Sequence, residues 1–240
     1  MALPSTAGEL APLILYVPDA TETQSFEREL VEQGVQAGRH VLLVPDEARD
    51  NLWNPSTAEH GRHLGPLREL LLTQRVDPER VWMVGSGRGG HATWAVGLLH
   101  AETFAGLCPC NGGPLFEGGY KASGGVFLAN ARSLAITTVY NTSFDHGLDG
   151  CRHAGREFAR LGYRFSAVEE ETFRTMGLRE ACERLGDVRR DSHPRELVKV
   201  FNHLDAGRHF WLQALTRVPG EWDPGEKLTV RGKWPSDPAA

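Results

Sequence analysis

The sequence lacks the features that mark several classes of protein. Its 240 residues include four cysteines, which is no density for a disulfide scaffold, and Cys108 and Cys110 lie too close together for the usual zinc-ligand spacing. No run approaches the roughly 18 apolar residues of a transmembrane helix, and the N-terminus has no basic segment that would open a secretion signal. The net charge of −5 gives no sign of the basic surface that nucleic-acid binding requires. We expect a cytoplasmic chain, whole or cut from a longer one, with reduced cysteines and neither nucleic acid nor membrane as a partner.

Motifs for cofactors and metals are missing as well. The stretch 111–125 carries six glycines, but it lacks the strand before and the helix after that a nucleotide-binding glycine loop requires. His60 and His63 are three residues apart, yet no third ligand stands near them, so we expect both imidazoles to face solvent. The sequence therefore predicts no cofactor and no metal.

Short apolar runs alternate with helical stretches along most of the chain. The continuous apolar run at 13–17 is typical of a strand buried on both faces of a parallel sheet, and further strands are predicted at 40–44, 81–84, 104–110, 135–140 and 163–168. Helices are predicted over 22–37, 64–74, 126–134 and 150–161. The pattern predicts an α/β fold, with a mostly parallel sheet and helices on both faces.

The pattern changes near residue 191. From there, short segments of alternating and β-branched residues separated by Asp, Gly and Pro predict strands at 197–201, 210–215 and 227–231. We therefore divide the chain into an α/β core, 1–190, and a small C-terminal β-rich extension, 191–240, packed on that core.

The most informative stretch runs from Val81 to Leu99. A buried strand is followed by a glycine-rich turn and by a helix that starts near Gly90. This is the setting of a nucleophile elbow, G-x-S-x-G, in which bulky side chains two positions from the nucleophile would collide with the neighbouring strand and helix. The frame fits Gly85-Ser86-Gly87-Arg88-Gly89, so Gly87 occupies the position of the nucleophile and leaves it vacant.

These residues carry a resemblance to a known family. The runs Val76–Gly85 (VDPERVWMVG) and Gly89–Ala95 (GGHATWA) resemble the elbow region of α/β-hydrolase esterases, nearest to polyhydroxybutyrate-depolymerase-like and prolyl-oligopeptidase-like members. The segment from His193 to Leu212 resembles the C-terminal extension of some bacterial members. The resemblance implies the α/β-hydrolase fold and descent from a serine esterase or peptidase, with a degenerate elbow.

The resemblance also implies where the other parts of a hydrolase site should be. Asp145 matches the position of the triad acid, although an aspartate in a turn is common without any such role. The oxyanion loop reads Pro18-Asp19-Ala20, where related esterases have His-Gly. Proline has no N–H to donate, and Asp19 brings negative charge to where an oxyanion would form. The alternative is that Asp19 caps the next helix.

A triad histidine is missing from its expected place. No histidine stands between His153 and His193, which spans the loop after the last core strand. His146 is next to Asp145, but adjacent side chains in a turn usually point apart. A relocated base would have to come from the extension, where the candidates are His193, His203 and His209.

Three hypotheses follow. The first is a non-catalytic protein that binds a small molecule at the carboxyl ends of its strands, in a pocket bordered by Asp19, Ala20, Gly87, Arg88, Asp145 and His146. Arg88 would face an anionic group there, or would instead pair with Asp19. The second is a serine hydrolase that uses Ser86 and a relocated histidine, which would put Val84 and Arg88 where an elbow needs small residues. The third is a scaffolding domain with a protein partner on the extension, through Phe210, Trp211 and Trp222.

Overall fold

A computed structural model describes residues 10–19, 24–45, 57–114, 125–142, 147–170, 177–201, 208–209, 212–213 and 228–233. Six strands form one sheet: β1 (Ala11–Val17), β2 (Val41–Leu43), β3 (Val76–Ser86), β4 (Gly106–Cys110), β5 (Ala135–Asn141) and β6 (Arg164–Glu170). Their order across the sheet is β2-β1-β3-β4-β5-β6, and every pairing is parallel. The predicted parallel α/β core is confirmed.

Five α-helices cover the two faces of this sheet: α1 (Gln24–Ala37), α2 (Thr57–Thr73), α3 (Arg88–Leu99), α4 (Leu148–Leu161) and α5 (Gly177–Arg184). Successive residues of a buried strand point to opposite faces, so each strand supplies two cores. Leu13 and Leu15 of β1 pack with residues of α2, α3 and α4. Ile14 and Tyr16 pack with residues of α1 and α5.

Some boundaries differ from the predicted ones. Strand β3 begins at Val76, before the predicted run, and α3 begins at Arg88 instead of near Gly90. Helix α2 begins at Thr57 and continues through Pro66. Residues 125–133 form a 3-10 helix, and α5 was not predicted at all. None of the described helices is both long and apolar enough to cross a membrane.

The expectation that His60 and His63 face solvent is wrong. Each residue is only 3% exposed, because α2 starts early enough to press both rings against the core. His60 Nδ1 lies 3.0 Å from Nε2 of His100 at the end of α3. Burial lowers the pKa of His63 to about 4, and the nearby charge of Arg62 acts in the same direction.

Short strands occupy the C-terminal region, as predicted: β7 (Glu196–Phe201), β8 (Arg208–His209), β9 (Leu212–Gln213) and β10 (Leu228–Lys233). Strands β7 and β10 pair antiparallel, as do β8 and β9. Asn130 of the 3-10 helix accepts the N–H of Val200 at 2.7 Å and donates to its carbonyl oxygen at 2.8 Å. Strand β7 is thus fastened to the α/β core.

Candidate functional site

A single residue, Gly87, connects strand β3 to helix α3. Its backbone angles, φ 53° and ψ −114°, lie in a region that residues with side chains rarely adopt. The N–H of Gly87 donates to the carbonyl oxygen of Cys110 at 2.9 Å, and its own carbonyl oxygen accepts the N–H of His91 at 3.2 Å. The strained turn is therefore held from the neighbouring strand and from the helix.

The glycines two positions before and after Gly87 are both required by packing. A Cβ atom on Gly85 would lie 2.2 Å from the carbonyl oxygen of Gly89. A Cβ atom on Gly89 would lie 1.8 Å from the carbonyl oxygen of Val17, at the end of β1. These contacts centre the elbow frame on Gly87, since neither position can accept a side chain.

The carboxylate of Asp19 fills the space in front of Gly87. A Cβ atom on Gly87 would lie 2.0 Å from Asp19 Oδ2 and 2.6 Å from its Cγ. The other oxygen, Oδ1, is buried and has no hydrogen-bond partner in the described part of the chain. Because the first turn of a helix carries partial positive charge, the N-terminus of α3 favours this negative group.

Arg88 follows Gly87 and is exposed at the first position of α3. Across the ranges that the structure covers, no ion pair joins Arg88 to Asp19. The guanidinium therefore lies beside the elbow without neutralising the carboxylate, which leaves the hypothesis of an anion contact open.

Ser86 lies below the elbow, in the layer between the sheet and α1. Its side chain is fully buried, and its Oγ lies 2.8 Å from the hydroxyl of Tyr16. Burial raises the pKa of Tyr16 well above its usual range, so the phenol stays protonated. The carboxyl group of Glu27 on α1 also lies close to Ser86, and, although burial raises the pKa of Glu27, this neighbour acts to lower it.

Glu27 connects Ser86 to the adjacent strand ends. Burial raises the pKa of Glu27, whereas its contacts with Ser86 and Asn111 act to lower it. Asn111 Nδ2 donates to Glu27 Oε1 at 3.1 Å. Asn111 Oδ1 in turn accepts the N–H of Asn141 at the end of β5, at 2.9 Å. We call Tyr16, Ser86, Glu27, Asn111 and Asn141 the buried polar network.

Sequence reasoning missed every member of this network except Ser86. A signal for Glu27 was present, because it precedes Leu30 and Val31 by three and four residues and so shares the apolar face of α1. Tyr16 was hidden inside an apolar run, where a tyrosine needs a buried partner for its hydroxyl.

His91 and His193 contact groups other than Ser86. His91, in the first turn of α3, is buried, and its Nδ1 lies 2.7 Å from the carbonyl oxygen of Gly113. His193 is exposed and lies beside Ser192, with Nδ1 3.0 Å from the serine Oγ. Within the described residues, the hydroxyl of Ser86 is bonded to Tyr16, lies close to Glu27 and is bonded to no histidine.

The remaining predicted site residues lie outside the described residues. These are Ala20, Asp145, His146 and His203, together with the side chain of His209 and the aromatic residues Phe210, Trp211 and Trp222. Their roles stay predictions. Over the described ranges, no group of three or more His, Cys, Asp or Glu side chains could hold a metal ion.

Comparison with known proteins identifies the architecture. No protein-family model matches the chain, and no curated protein matches it in sequence. Among solved structures, a thermostable esterase superposes with a TM-score of 0.58 at 18% identity over 78% of this chain, which spans 57% of that esterase. The fluorophosphonate-binding serine hydrolase F of Staphylococcus aureus gives 0.60 at 10% identity, covering 75% and 85% of the two chains. The acylaminoacyl peptidase of Pyrococcus horikoshii gives 0.56 at 15% identity, covering 75% and 36%. This chain has the α/β-hydrolase fold.

Proposed function

We propose that this chain is a non-catalytic member of the α/β-hydrolase fold, a pseudoenzyme that binds a small molecule at the carboxyl edge of its sheet. The proposal is carried by one observation: the Asp19 carboxylate occupies the space into which a side chain at position 87 would project, with Oδ2 2.0 Å from the Cβ position. The elbow scaffold has been kept, and its reactive space is filled from within the chain.

The chemistry of acyl transfer supports this proposal. The reaction needs a nucleophile, a base that can take its proton, and N–H donors aimed at the developing oxyanion. Gly87 supplies no nucleophilic atom. A carboxylate beside Gly87 opposes an oxyanion there, because two negative charges would have to share one small site. A substrate ester would also have to displace the Asp19 side chain before it reached the turn.

The competing hypothesis is a serine hydrolase that uses Ser86. Against it stands the position of the hydroxyl, which is fully buried on the α1 side of the sheet and engaged by Tyr16 and Glu27. A nucleophile must reach solvent-borne substrate and must hand its proton to a base. Glu27 is the carboxyl group beside Ser86, and it is buried in the core and does not line an open cleft.

Labelling with a fluorophosphonate probe, together with hydrolysis of p-nitrophenyl butyrate, tests the two hypotheses. We expect no labelling and no turnover from the wild type or from Ser86→Ala. Labelling of the wild type that disappears in Ser86→Ala would overturn the proposal and identify Ser86 as the nucleophile. Ser166→Ala, at an exposed serine on β6, is the matched control.

A serine at position 87 would meet the end of the Asp19 side chain, which would have to move, so the test of a restored nucleophile also removes that side chain. The informative variant is therefore Gly87→Ser combined with Asp19→Gly. If this double variant is labelled while the wild type is silent, then the base and the oxyanion donors survive and only the nucleophile was lost. If it is folded and silent, the loss extends to the rest of the machinery.

Ligand binding is tested separately by thermal unfolding with small carboxylates and phosphate monoesters. Arg88 is exposed beside the elbow and makes no pair with Asp19 in the described structure, so it can contact an anionic group. We expect an anionic ligand to raise the melting temperature of the wild type and to have less effect on Arg88→Gln. The matched control is Arg156→Gln, at an exposed arginine on α4. If the ligand raised the melting temperatures of both variants equally, Arg88 would not be part of the binding site.

A further inference from the structure

Strand β6 forms one edge of the six-stranded sheet. It pairs with β5 along seven residues in continuous register, and no described strand lies on its other side. None of its seven residues is buried and four are exposed, whereas β5 has five buried residues. The exposed positions fall on both faces of the sheet, so helices α4 and α5 leave this edge uncovered.

The backbone groups that point away from the sheet can be identified. The N–H of Thr142 donates to the carbonyl oxygen of Glu170 at 2.9 Å, so the backbone of Glu170 faces β5. In a strand, the N–H and C=O of one residue point to the same edge, and successive residues alternate. Phe165, Ala167 and Glu169 therefore present their backbone N–H and C=O groups outward.

Over the described residues, the centre of this edge carries no proline, lysine, bulge or covering element. Natural edges are blunted by proline, by lysine, by a bulge or by a covering loop. Strand β6 contains no proline and no lysine, and its register with β5 has no irregularity. Its residues Phe165 to Val168 are uncharged, and the charged residues stand at its ends, with Arg164 at one and Glu169 and Glu170 at the other.

We propose that β6 pairs antiparallel with β6 of a second copy of this chain, about a two-fold axis at Ala167. Such an interface is self-complementary, because each residue meets the same partner twice. Arg164 of each copy then stands opposite Glu170 of the other, which gives two pairs of opposite charge. The outward groups of Phe165, Ala167 and Glu169 meet their counterparts as hydrogen-bonded pairs.

The charged residues at the ends of β6 are held along this edge by contacts within their own chain. Arg164 donates to the carbonyl oxygen of Ser133 at 2.9 Å, and Glu170 Oε1 accepts the N–H of Gly177 at 2.6 Å. Each keeps further hydrogen-bonding capacity, since the guanidinium has five donors and a carboxylate several lone pairs. The pairing joins two six-stranded sheets into one and leaves Gly87 untouched, so it is independent of the proposed function.

Sedimentation of the chain from about 1 μM to about 200 μM, the range of a small interface, tests the pairing. We expect reversible dimerisation in the wild type. Ala167→Lys would place two ammonium groups opposite each other on the axis and should raise the dissociation constant at least tenfold. Leu72→Lys, on α2 at an 87% exposed position, is the control and should dimerise like the wild type. A wild type that stays monomeric, or an Ala167→Lys variant that dimerises equally well, would overturn the proposal.

A cysteine at the axis tests the register. Opposite residues in a hydrogen-bonded pair have Cα atoms about 5.5 Å apart, within disulfide range, so Ala167→Cys should cross-link on mild oxidation. Ser166→Cys is the matched control, because two copies of residue 166 would lie on a diagonal about 7 to 8 Å long. The native cysteines are all buried and should not interfere. Failure of Ala167→Cys to cross-link, or equal cross-linking of Ser166→Cys, would contradict this pairing.

Discussion

At the scale of single residues, the elbow glycines differ in what blocks a side chain at each of them. The obstacle at Gly87 is the end of a side chain, Asp19, together with a positive φ of 53°. The obstacle at Gly89 is the backbone carbonyl of Val17. A side chain can be removed by mutation and a backbone cannot, so the two positions should respond differently to a second substitution.

We expect Gly87→Ala to lower the free energy of unfolding by about 1 to 3 kcal/mol, because it adds both backbone strain and a clash. Adding Asp19→Gly to this variant should restore the stability lost through the clash, whereas the loss caused by backbone strain should remain. Gly89→Ala should destabilise at least as much, and Asp19→Gly should not rescue it. Urea unfolding of the four variants measures these differences. Equal rescue at both positions would show that Asp19 is not the specific obstacle at Gly87.

The carboxyl group of Glu27 gives a prediction about pH. Its pKa is raised by burial, so the folded chain holds this proton more tightly than the unfolded chain does. The protonated carboxyl group of Glu27 therefore makes its full contribution to the free energy of unfolding below the pKa of the unfolded state. This contribution is lost as pH rises through the raised pKa of the folded state.

Glu27→Gln keeps the shape of the side chain and removes the titration. We expect this variant to gain stability relative to the wild type as pH is raised from 4 to 8. The comparison requires melting temperatures of both proteins at each pH, with Glu32→Gln, at an exposed position on α1, as the control. A difference between Glu27→Gln and the wild type that does not change with pH would contradict the assignment.

At the scale of elements, helix α2 carries a second titrating group into the core. Burial lowers the pKa of His63 to about 4 from a usual value near 6.5. The unfolded chain takes up this proton first, so stability is present above pH 6.5 and is lost as pH falls towards 4. At 1.36 kcal/mol per pKa unit, the loss attributable to His63 is about 3 kcal/mol.

His63→Gln should abolish this part of the acid sensitivity. The free energy of unfolding, measured by urea at pH 7, 6, 5 and 4, should fall less steeply in the variant than in the wild type. His193→Gln, at an exposed position, is the control and should follow the wild type. Parallel curves for His63→Gln and the wild type would show that His63 does not titrate in the core.

Asn130 is one of the side chains that hold strand β7 on the core, together with Lys199, which donates to the carbonyl oxygen of Leu99, and Val200, which packs in the core. Asn130 is fully buried and bonds both backbone groups of Val200, and its Nδ2 also donates to the carbonyl oxygen of Leu98 at 3.0 Å. Asn130→Ala would leave these buried groups unpaired at about 1 to 3 kcal/mol for each, so we expect strong destabilisation.

Hydrogen exchange measures this effect where it should occur. In Asn130→Ala, the amide of Val200 should lose protection, while the amide of Val84 in the sheet centre should keep more of it. Asn141→Ala, which removes another buried asparagine, at the end of β5, is the matched control. If Val200 keeps its protection in Asn130→Ala, the strand is held by other contacts.

The accuracy of sequence prediction varied between elements for physical reasons. Strand β1 contains the continuous apolar run 13–17, which identifies a strand buried on both faces almost by itself, and β5 is rich in β-branched residues, which favour strands. The start of α2 is polar and glycine-containing, so its helicity depends on tertiary packing of His60 and His63. Helix α5 buries only Leu178 and Cys182, too few residues to produce a clear period.

The features of the candidate site also differ in whether the sequence could predict them. The glycine spacing around Gly87 is a local pattern, and it predicted the tight turn that the structure has between β3 and α3. Asp19 reaches Gly87 only because β1 and β3 are neighbours with Val17 opposite Gly85, and that register cannot be obtained from one sequence. The contact of Glu27 with Ser86 likewise depends on how α1 packs on the sheet, which local periodicity does not determine.

At the scale of the whole molecule, the two cores leave no thiol at the surface. Cys108, Cys110, Cys151 and Cys182 are all buried, and none of them is in a disulfide. Burial raises the pKa of Cys151 to about 11 and those of Cys108 and Cys182 further. Reactivity follows the thiolate, so these groups should be inert in the native state.

A disulfide reagent such as DTNB should therefore modify the native protein very slowly at pH 8 and should titrate all four thiols in guanidinium chloride. The rate in the native state would then report the opening of the core. Rapid modification of a thiol in the folded protein would show that one face of the sheet is open to solvent.

The order of the strands has a consequence for how the molecule forms during synthesis. Of the described strands of this sheet, β1 is made before the others and lies between β2 and β3, and β4, β5 and β6 each join the outer side of the strand made just before them. The sheet can thus extend in one direction as the chain leaves the ribosome, without waiting for a distant partner. Every intermediate then has an open edge on the side of growth, and the last of these edges is β6.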